Sequence, residues 1–327
     1  MPLISVITRT KDRPALLMRA GRSLARQTCR DFIWIVANDS ADETGIAPAL
    51  ETARQAGIAV RGCQVANSKG MESASNQGLA LADTPYVTFL DDDDTWEPEF
   101  LGETLSYLEA RPDLGGVCTQ TSIVEETAEF EPRTLRKYVM NADLESIQIA
   151  DMMLFNHLTT NSLLYRRALH DRLGLFREDL PVMGDWEFGI RIVTAYDIGV
   201  VAKPLANYHR RVPPDIGSSS SADTATDRKR LHEETDARLR NEMLRKEWAA
   251  GTVGPGHLMA LARIQLRADR LNRFNFDAVR ADISDRLGTP EEASIGARLA
   301  IMAAQLDRLQ NRVSPRWWLR RLFGRNG

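Results

Sequence analysis

Short apolar runs alternate with amphipathic stretches over the first 125 residues. Strand-like runs lie at Leu3–Thr8, Phe32–Ala37, Ile58–Val65, Tyr86–Leu90 and Gly116–Val124, bounded by turn residues as buried strands are. Helical patterns separate them. Asp12-Arg13-Pro14 is a helix-start signal, followed by Leu16, Ala20 and Leu24 at four-residue spacing. Glu97-Pro98 opens another helix with Phe100, Leu101, Leu105 and Leu108, which ends before Pro112. This alternation predicts an α/β fold, a mostly parallel sheet of the Rossmann-like nucleotide-binding kind flanked by crossover helices. Ligands of such sheets bind beyond the carboxyl ends of the strands, so chemistry is sought there.

From 126 to 210 the pattern is less regular, with helical Ile149–Asn156, strand-like Ser162–Tyr165, helical Asp185–Thr194 and strand-like Ile198–Val201. It reads as a second half built onto the same sheet. The stretch Pro213 to Ser221 has the composition of a linker, which puts a domain boundary near residue 222. Beyond it, 223–327 is Arg-rich and helical in character, with breaks at Gly251–Gly256 and Gly288–Pro290. No internal repeat is found.

Composition narrows the class. The 327 residues are 43% hydrophobic and 27% charged, with 7% aromatics, as in ordinary globular proteins and unlike collagenous, disordered or disulfide-framework chains. Cys29, Cys63 and Cys118 are far apart and form no Cys-x-x-Cys or Cys/His cluster, which fits a reducing, cytoplasmic compartment. The first nine residues are strand-like and then cationic, which is not a signal-peptide pattern, and no uninterrupted apolar run reaches membrane-spanning length. The net charge of −3 hides an asymmetry: 1–222 carries 31 acidic and 22 basic side chains, and 223–327 carries 14 and 20. An acidic front argues against nucleic acid as partner, and a basic tail suggests an anionic surface.

The strongest chemical feature is Tyr86-Val87-Thr88-Phe89-Leu90 running into Asp91-Asp92-Asp93-Asp94. Four adjacent carboxylates repel unless a cation neutralises them, and carboxylate oxygens suit Mg²⁺ or Mn²⁺ with positions left open for phosphates. The plainer alternative is an acidic surface loop capping the helix at Pro98. Position at a strand's carboxyl end favours a site.

With these residues in view, the chain resembles the family-two inverting glycosyltransferases of the GT-A fold. The resemblance rests on Ser5-Val6-Ile7 leading to Thr10–Pro14, on Ser23–Thr28, Asn38-Asp39-Ser40, Asn76-Gln77-Gly78 and the Asp91–Asp94 run, in order across residues 3–210. It implies a sugar donor linked to UDP, held by Thr10, Arg13, Asp39, Asn76, Asp91 and Asp92. A carboxylate at Asp39 can accept the uracil N3 proton, although Asp39 also suits a turn. Asp93 is the implied ligand for Mn²⁺ or Mg²⁺. One departure is Ser75, where the family often has Arg.

The resemblance also makes Asp185, in Met183-Gly184-Asp185-Trp186-Glu187, the base that deprotonates the incoming hydroxyl. The acid that often precedes this base is Gly184 here, and an ordinary helix N-cap is the competing reading. Glu187 is the second choice of base. Trp96 and Trp186 are either sugar platforms or core. In Asn207–Arg211 the resemblance puts His209 over the donor diphosphate and near the metal, with a structural histidine as the alternative; Arg210 and Arg211 suit the leaving phosphate less specifically. His157 lines the acceptor side or serves structure.

The tail segment Arg312–Arg325 carries Trp317, Trp318, Leu319, Leu322 and Phe323 among arginines, as a helix lying on an anionic membrane does or one docked on protein. The whole is read as a cytoplasmic glycosyltransferase of cell-surface polysaccharide synthesis, peripheral on the membrane's inner face, acting on a glycan or lipid-linked acceptor. Two alternatives stand beside it. A sugar-phosphate nucleotidyltransferase needs a Gly-rich loop that Thr8–Pro14 lacks, and a non-catalytic scaffold needs no intact acidic motifs.

Overall fold

Successive residues of the first two apolar runs face different helical layers, which is why both runs are buried almost throughout. Ile4, Val6, Phe32, Trp34 and Val36 belong to one core, and Ile7, Ile33 and Ile35 to the core on the opposite face. The computed structural model describes residues 2–40, 42, 44–127, 129, 132–212, 219–264 and 266, with the side chains of 219–228 excepted. The amphipathic tail segment at 312–325 and the break at Gly288–Pro290 lie outside the described residues, as do Pro213–Gly217.

The strands are β1 (Ile4–Thr10), β2 (Phe32–Asn38), β3 (Ala59–Gln64), β4 (Tyr86–Phe89), β5 (Thr95–Trp96), β6 (Gly116–Thr127), β7 (Thr134–Val139), β8 (Leu163–Arg166) and β9 (Ile198–Val212). They form one sheet in the order β3-β2-β1-β4-β8-β6-β9-β5, with β7 beside β6. The parallel pairing expected from the alternation holds for β3, β2, β1 and β4. Past β4 the sheet is mixed: β8 is antiparallel to β4 and β6, and β9 runs parallel to β6.

The helices are α1 (Pro14–Ala25), α2 (Ala47–Gln55), α3 (Met71–Ala80), α4 (Phe100–Glu109), α5 (Ile149–Leu154), α6 (Leu169–Leu173), α7 (Gly184–Val193) and α8 (Ser219–Ala250). Pro14 starts α1 at the position where a missing N–H costs nothing. Its buried stripe is Leu17, Ala20, Gly21 and Leu24, so Leu17 rather than Leu16 faces the sheet. In α4 the buried residues include Phe100, Leu101, Leu105 and Leu108, the face that the spacing predicts. Helix α3 lies close on β1 because Gly78 has no side chain: a Cβ there would stand 2.7 Å from Ile7 Cγ2.

The boundary expected near residue 222 falls within α8. Ser219–Ser221 belong to α8, and the compact unit runs over residues 1–262. Leu239 and Met259 are fully buried in the second core, and Arg240 donates to the carbonyls of Met153 (2.9 Å) and Leu154 (3.1 Å) while lying over the Trp186 ring. A charged helix thus packs on the body through a few residues, which its Arg-rich sequence conceals. No helix among the described residues is long and apolar enough to cross a membrane.

One buried group ties stability to pH. His170 stacks on Phe188 at 4.5 Å, its Nε2 meets the Tyr165 hydroxyl at 2.8 Å, and its Nδ1 meets the Gly174 carbonyl at 3.1 Å. Burial holds its pKa down at about 4. The unfolded chain therefore binds a proton between its ordinary value and about 4 that the folded chain does not, and stability falls as pH drops through that window. His170→Gln should lower the thermal midpoint at pH 7.5, and its gap to wild type should narrow as pH falls from about 6.5 to 4, as scanning calorimetry at stepped pH would read.

Candidate active site

The carboxyl ends of β1, β2 and β4 converge on the acidic run, and arginines from the first forty residues meet it. Arg9, near the end of β1, donates from Nε to Asp91 Oδ1 at 2.9 Å and from Nη2 to Oδ2 at 3.4 Å. Arg13 at the start of α1 reaches Asp92 Oδ1 at 2.8 Å and Asp93 Oδ2 at 2.9 Å. Arg211 on β9 also reaches Asp93 Oδ2, at 3.1 Å. Asp92 is fully buried, and the Thr10 hydroxyl donates to its Oδ2 at 2.6 Å. Burial raises its pKa to about 6 against the pull of Arg13 and Thr10. Asp94 is buried as well, accepting from Asn161 Nδ2 (2.8 Å) and the His209 backbone N–H (2.9 Å). Burial, then Asp91 and Asp93, push its pKa well above the usual carboxylate range.

The four acids therefore differ in role. Asp94 ties β9 to the run, and Asp91 and Asp92 are held by Arg9, Arg13 and Thr10. Among the eight carboxylate oxygens of the run, Asp93 Oδ1 alone has no partner in the described residues, and its side chain is 28% exposed. That is the observation against which a divalent ion is tested. Asp93 fits, as one hard oxygen facing outward that a donor's diphosphate would supplement. No group of three His, Cys, Asp or Glu side chains gathers a metal among the described residues.

His209 is held at both ring nitrogens. Its Nδ1 lies 2.9 Å from Glu126 Oε2 and its Nε2 lies 2.9 Å from Thr95 Oγ1. A carboxylate at Nδ1 fixes the proton there, and Nε2 then accepts from the threonine hydroxyl, so both ring nitrogens are occupied. Burial and nearby Arg19 lower its pKa despite Glu126, which suits a neutral ring. Arg19 braces the same carboxylate from α1 at 2.8 and 2.9 Å. Both ring nitrogens of His209 are thus tied to the scaffold by Glu126 and Thr95.

Asn76 is also engaged by the scaffold. Its Oδ1 accepts from the Phe176 N–H at 3.0 Å, and its Nδ2 donates to the Phe176 carbonyl at 2.9 Å and to Glu178 Oε1 at 3.1 Å. The amide pins the loop before α7. The two tryptophans are core: Trp96 stacks on Phe100 at 4.2 Å, and Trp186 is 2% exposed with its Nε1 on the Met152 carbonyl. Glu187 is paired with Arg191 at 2.7 Å. Arg210 pairs with Glu125.

At the carboxyl ends of β1 and β2, Thr10, Arg13, Asn38, Ser40 and Asp42 line a small cleft of about 50 Å³. Asp39 accepts from Lys11 Nζ at 3.3 Å, and its N–H donates to the Thr10 carbonyl at 2.8 Å. Asp12, beside the cleft, holds a left-handed backbone (φ +53) and accepts from the Ser40 hydroxyl. A second left-handed non-glycine residue, Met183 (φ +68), precedes α7. Such backbones cluster at functional sites.

Asp185 sits in the first turn of α7, inside the helix and not at its N-cap. Its Oδ2 accepts from Asn156 Nδ2 and Thr160 Oγ1, both at 3.1 Å, and its Oδ1 accepts from the Trp186 N–H at 2.8 Å. Burial raises its pKa; the Trp186 N–H, Arg9 and Thr160 oppose this, and the charge of Asp91 adds to it. His157, next to Asn156, lines a cavity of about 280 Å³ with Asn141, Asp143, Glu145, Gln148 and Asp151.

Three groups escaped the sequence reading. Arg9 sits where the departure at Ser75 leaves room: its Nη1 donates to Ser75 Oγ at 2.9 Å. Glu72, in the first turn of α3, is buried at the face of Gly184, where a Cβ would come within 2.4 Å of its carboxyl. Tyr208 on β9 is 44% exposed in the field of Asp94, Asp93, Asp91 and Asp185. A cation closing a strand and an acid in the first turn of a helix were the available signals, and both look ordinary alone.

The layout is that of a GT-A transferase: an α/β sheet whose strand ends carry an arginine-clamped acidic run, with the Asp185 carboxylate at a helix start opposite. Residues 5–174 match the family model described as "Glycosyl transferase family 2", and the chain belongs to that family of sugar-transferring enzymes. It is 27% identical over 226 residues to the uncharacterized glycosyltransferase YwdF of Bacillus subtilis, covering 69% of this chain and 80% of that one. It is 26% identical over 192 residues to the amylovoran biosynthesis glycosyltransferase AmsB of Erwinia amylovora, covering 57% and 62%. Its fold is similar to that of the mannosyltransferase PcManGT from Pyrobaculum calidifontis in complex with GDP-Man and Mn2+, with TM-score 0.52 and 18% identity over 97% of this chain and 82% of that one.

The loop-pinning role of Asn76 is testable. Asn76→Ala removes three buried hydrogen bonds and should cost roughly 2 kcal/mol of stability in a denaturant titration. UDP affinity by calorimetry should hold; its collapse with stability intact would return Asn76 to the nucleotide.

Proposed function

We propose that this enzyme transfers a sugar, with inversion, from a UDP-linked donor to a hydroxyl of a glycan or lipid-linked acceptor in polysaccharide assembly. The observation that carries the reading is the placing of Asp185. Distant in sequence from the acidic run, it lies within the electrostatic reach of Arg9 and Asp91, half-buried and oriented by Asn156, Thr160 and its own helix. A carboxylate so held can take the proton of an incoming hydroxyl, while Arg9, Arg13 and Arg211 supply positive charge around the acids beside the departing diphosphate. Thr10, Arg13 and Asp39 flank the cleft proposed for the base and ribose. Asp93 would hold Mn²⁺ or Mg²⁺, which as a Lewis acid would draw charge from the leaving diphosphate. Direct displacement needs one base and no covalent intermediate, which supports inversion.

The acceptor side is assigned to the cavity beside His157. Asp143, Glu145 and Asp151 line it with no lysine or arginine among its walls, which suits an uncharged, hydroxyl-bearing acceptor over a polyanion. The names of relatives, amylovoran biosynthesis among them, support glycan assembly as the setting. Docking of the Arg-rich tail on an anionic membrane remains part of the proposal and would bring the site to a lipid-linked acceptor.

Asp185→Asn keeps the hydrogen-bonding shape and removes the proton acceptor. Turnover should fall roughly 10²-fold or more with UDP affinity retained; parallel loss of both would make Asp185 structural. For the metal, calorimetry of UDP and GDP with and without Mn²⁺ should show UDP preferred and Mn²⁺ tightening it. Asp93→Ala should abolish the Mn²⁺ effect, and turnover undiminished by a chelator would overturn the metal reading.

A further inference from the structure

Arg9 is shared by three carboxylates that come from three parts of the chain. It makes two bonds to Asp91, at 2.9 and 3.4 Å, and a longer contact of 3.5 Å from Nη1 to Glu72 Oε2, and Asp185 feels its charge. Arg9 and Glu72 are 12% and 5% exposed at the side chain, so water screens neither well. Asp91 takes the better geometry. Glu72 Oε2 is left buried without a hydrogen bond, an unusual position for a carboxylate oxygen.

Glu72 is also held sterically. Its carboxyl fills the space at Gly184, immediately before Asp185, and any side chain at 184 would displace it, since a Cβ would stand 2.4 Å from Cδ and Oε1. The charged and titratable groups around it are Arg9 on β1, Asp91 past β4, Asp185 and Glu187 on α7, and Tyr165 on β8. Glu187 is neutralised by Arg191. Asp185 in turn faces Arg9, Asp91, Glu72 and, from β9, Tyr208. One guanidinium thus serves three acids.

We propose that Glu72 is a positioning residue for Asp185: seated against Gly184 and paired with Arg9, its carboxylate charge sets how tightly Asp185 holds the proton it receives. The proposal rests on Asp185 as the base. Burial raises the Glu72 pKa to about 7, Arg9 opposes this, and Asp185 and Asp91 add to it. Below neutrality Glu72 is protonated and Asp185 is the weaker base. Above it, Glu72 is ionised, Arg9 is drawn between two anions, and the repulsion makes Asp185 the stronger base. Two acids coupled in this way titrate as a pair, each moving the other.

Carboxyl-carbon NMR of the full chain, labelled at Asp and Glu, tests the coupling without donor or acceptor. The two resonances are assigned by their loss in Glu72→Gln and Asp185→Asn. Glu72 is expected to titrate near neutrality in the wild type. The Glu72 midpoint should fall by roughly one pH unit in Asp185→Asn, whereas the Asp185 resonance, which titrates while Glu72 is still protonated, should keep its midpoint in Glu72→Gln and lose a second small step near neutrality. Should Glu72→Gln fail to fold, the reciprocal shift of Glu72 in Asp185→Asn decides alone. A Glu72 that titrates in the ordinary glutamate range, or a Glu72 midpoint that does not move in Asp185→Asn, overturns the proposal. The base reading fails separately: Asp185→Asn that still releases UDP from a UDP-sugar at the wild-type rate, with water as acceptor, overturns the catalytic use of the coupling even where the titrations move together.

Discussion

Crowded negative charge is the constraint around which this molecule is arranged. Asp91 to Asp94 follow one another at the end of β4, and α7 and α3 bring Asp185 and Glu72 to the same region. In a medium less polar than water these groups could not all ionise alone. Arg9 and Arg13 are the answer near the amino terminus, and Arg211 on β9 is the answer from the far half. Each is delivered by an element whose own packing is settled elsewhere: β1 by its two hydrophobic faces, α1 by Pro14 and its Leu17–Leu24 stripe, β9 by its long pairing with β6.

The same charge logic separates residues that read alike in the sequence. Of the four consecutive aspartates, Asp94 is a fastener between the run and β9, and Asp91 and Asp92 are held by cations and a threonine. Asp93 keeps an outward oxygen. His209 lies in a motif that invites a metal, yet Glu126, itself braced by Arg19, claims one nitrogen and Thr95 the other. A site can therefore contain ligand-type residues whose atoms are committed to the scaffold.

The helical segment after the catalytic sheet shows a related economy. Helix α8 is polar along most of its length, and a few residues, Leu239, Arg240 and Glu242 among them, join it to the body near α5 and α7. Arg240 lies over Trp186, the neighbour of Asp185 in the chain. Packing on this side of α7 thus supports the helix that presents Asp185.

Periodicity in the sequence determined β1 to β4, β6 and β8, the helices α1, α4, α5 and α7, and the location of the acidic run at a strand end, because local spacing and apolar alternation depend on neighbours within a few residues. The ordered motifs placed the chain in its family and singled out Asp93 and Asp185. Tertiary structure decided what spacing cannot encode. It turned β8 antiparallel beside β4, extended β9 through the Asn207–Arg211 motif, and carried the compact unit past residue 222. It also gave Asn76 to the loop at Phe176 and put Arg9 against Ser75 and Glu72 against Gly184. These partners are far apart in the chain, and which buried charge meets which is set by the packing of whole elements, so a single residue's type and neighbours carry no trace of it.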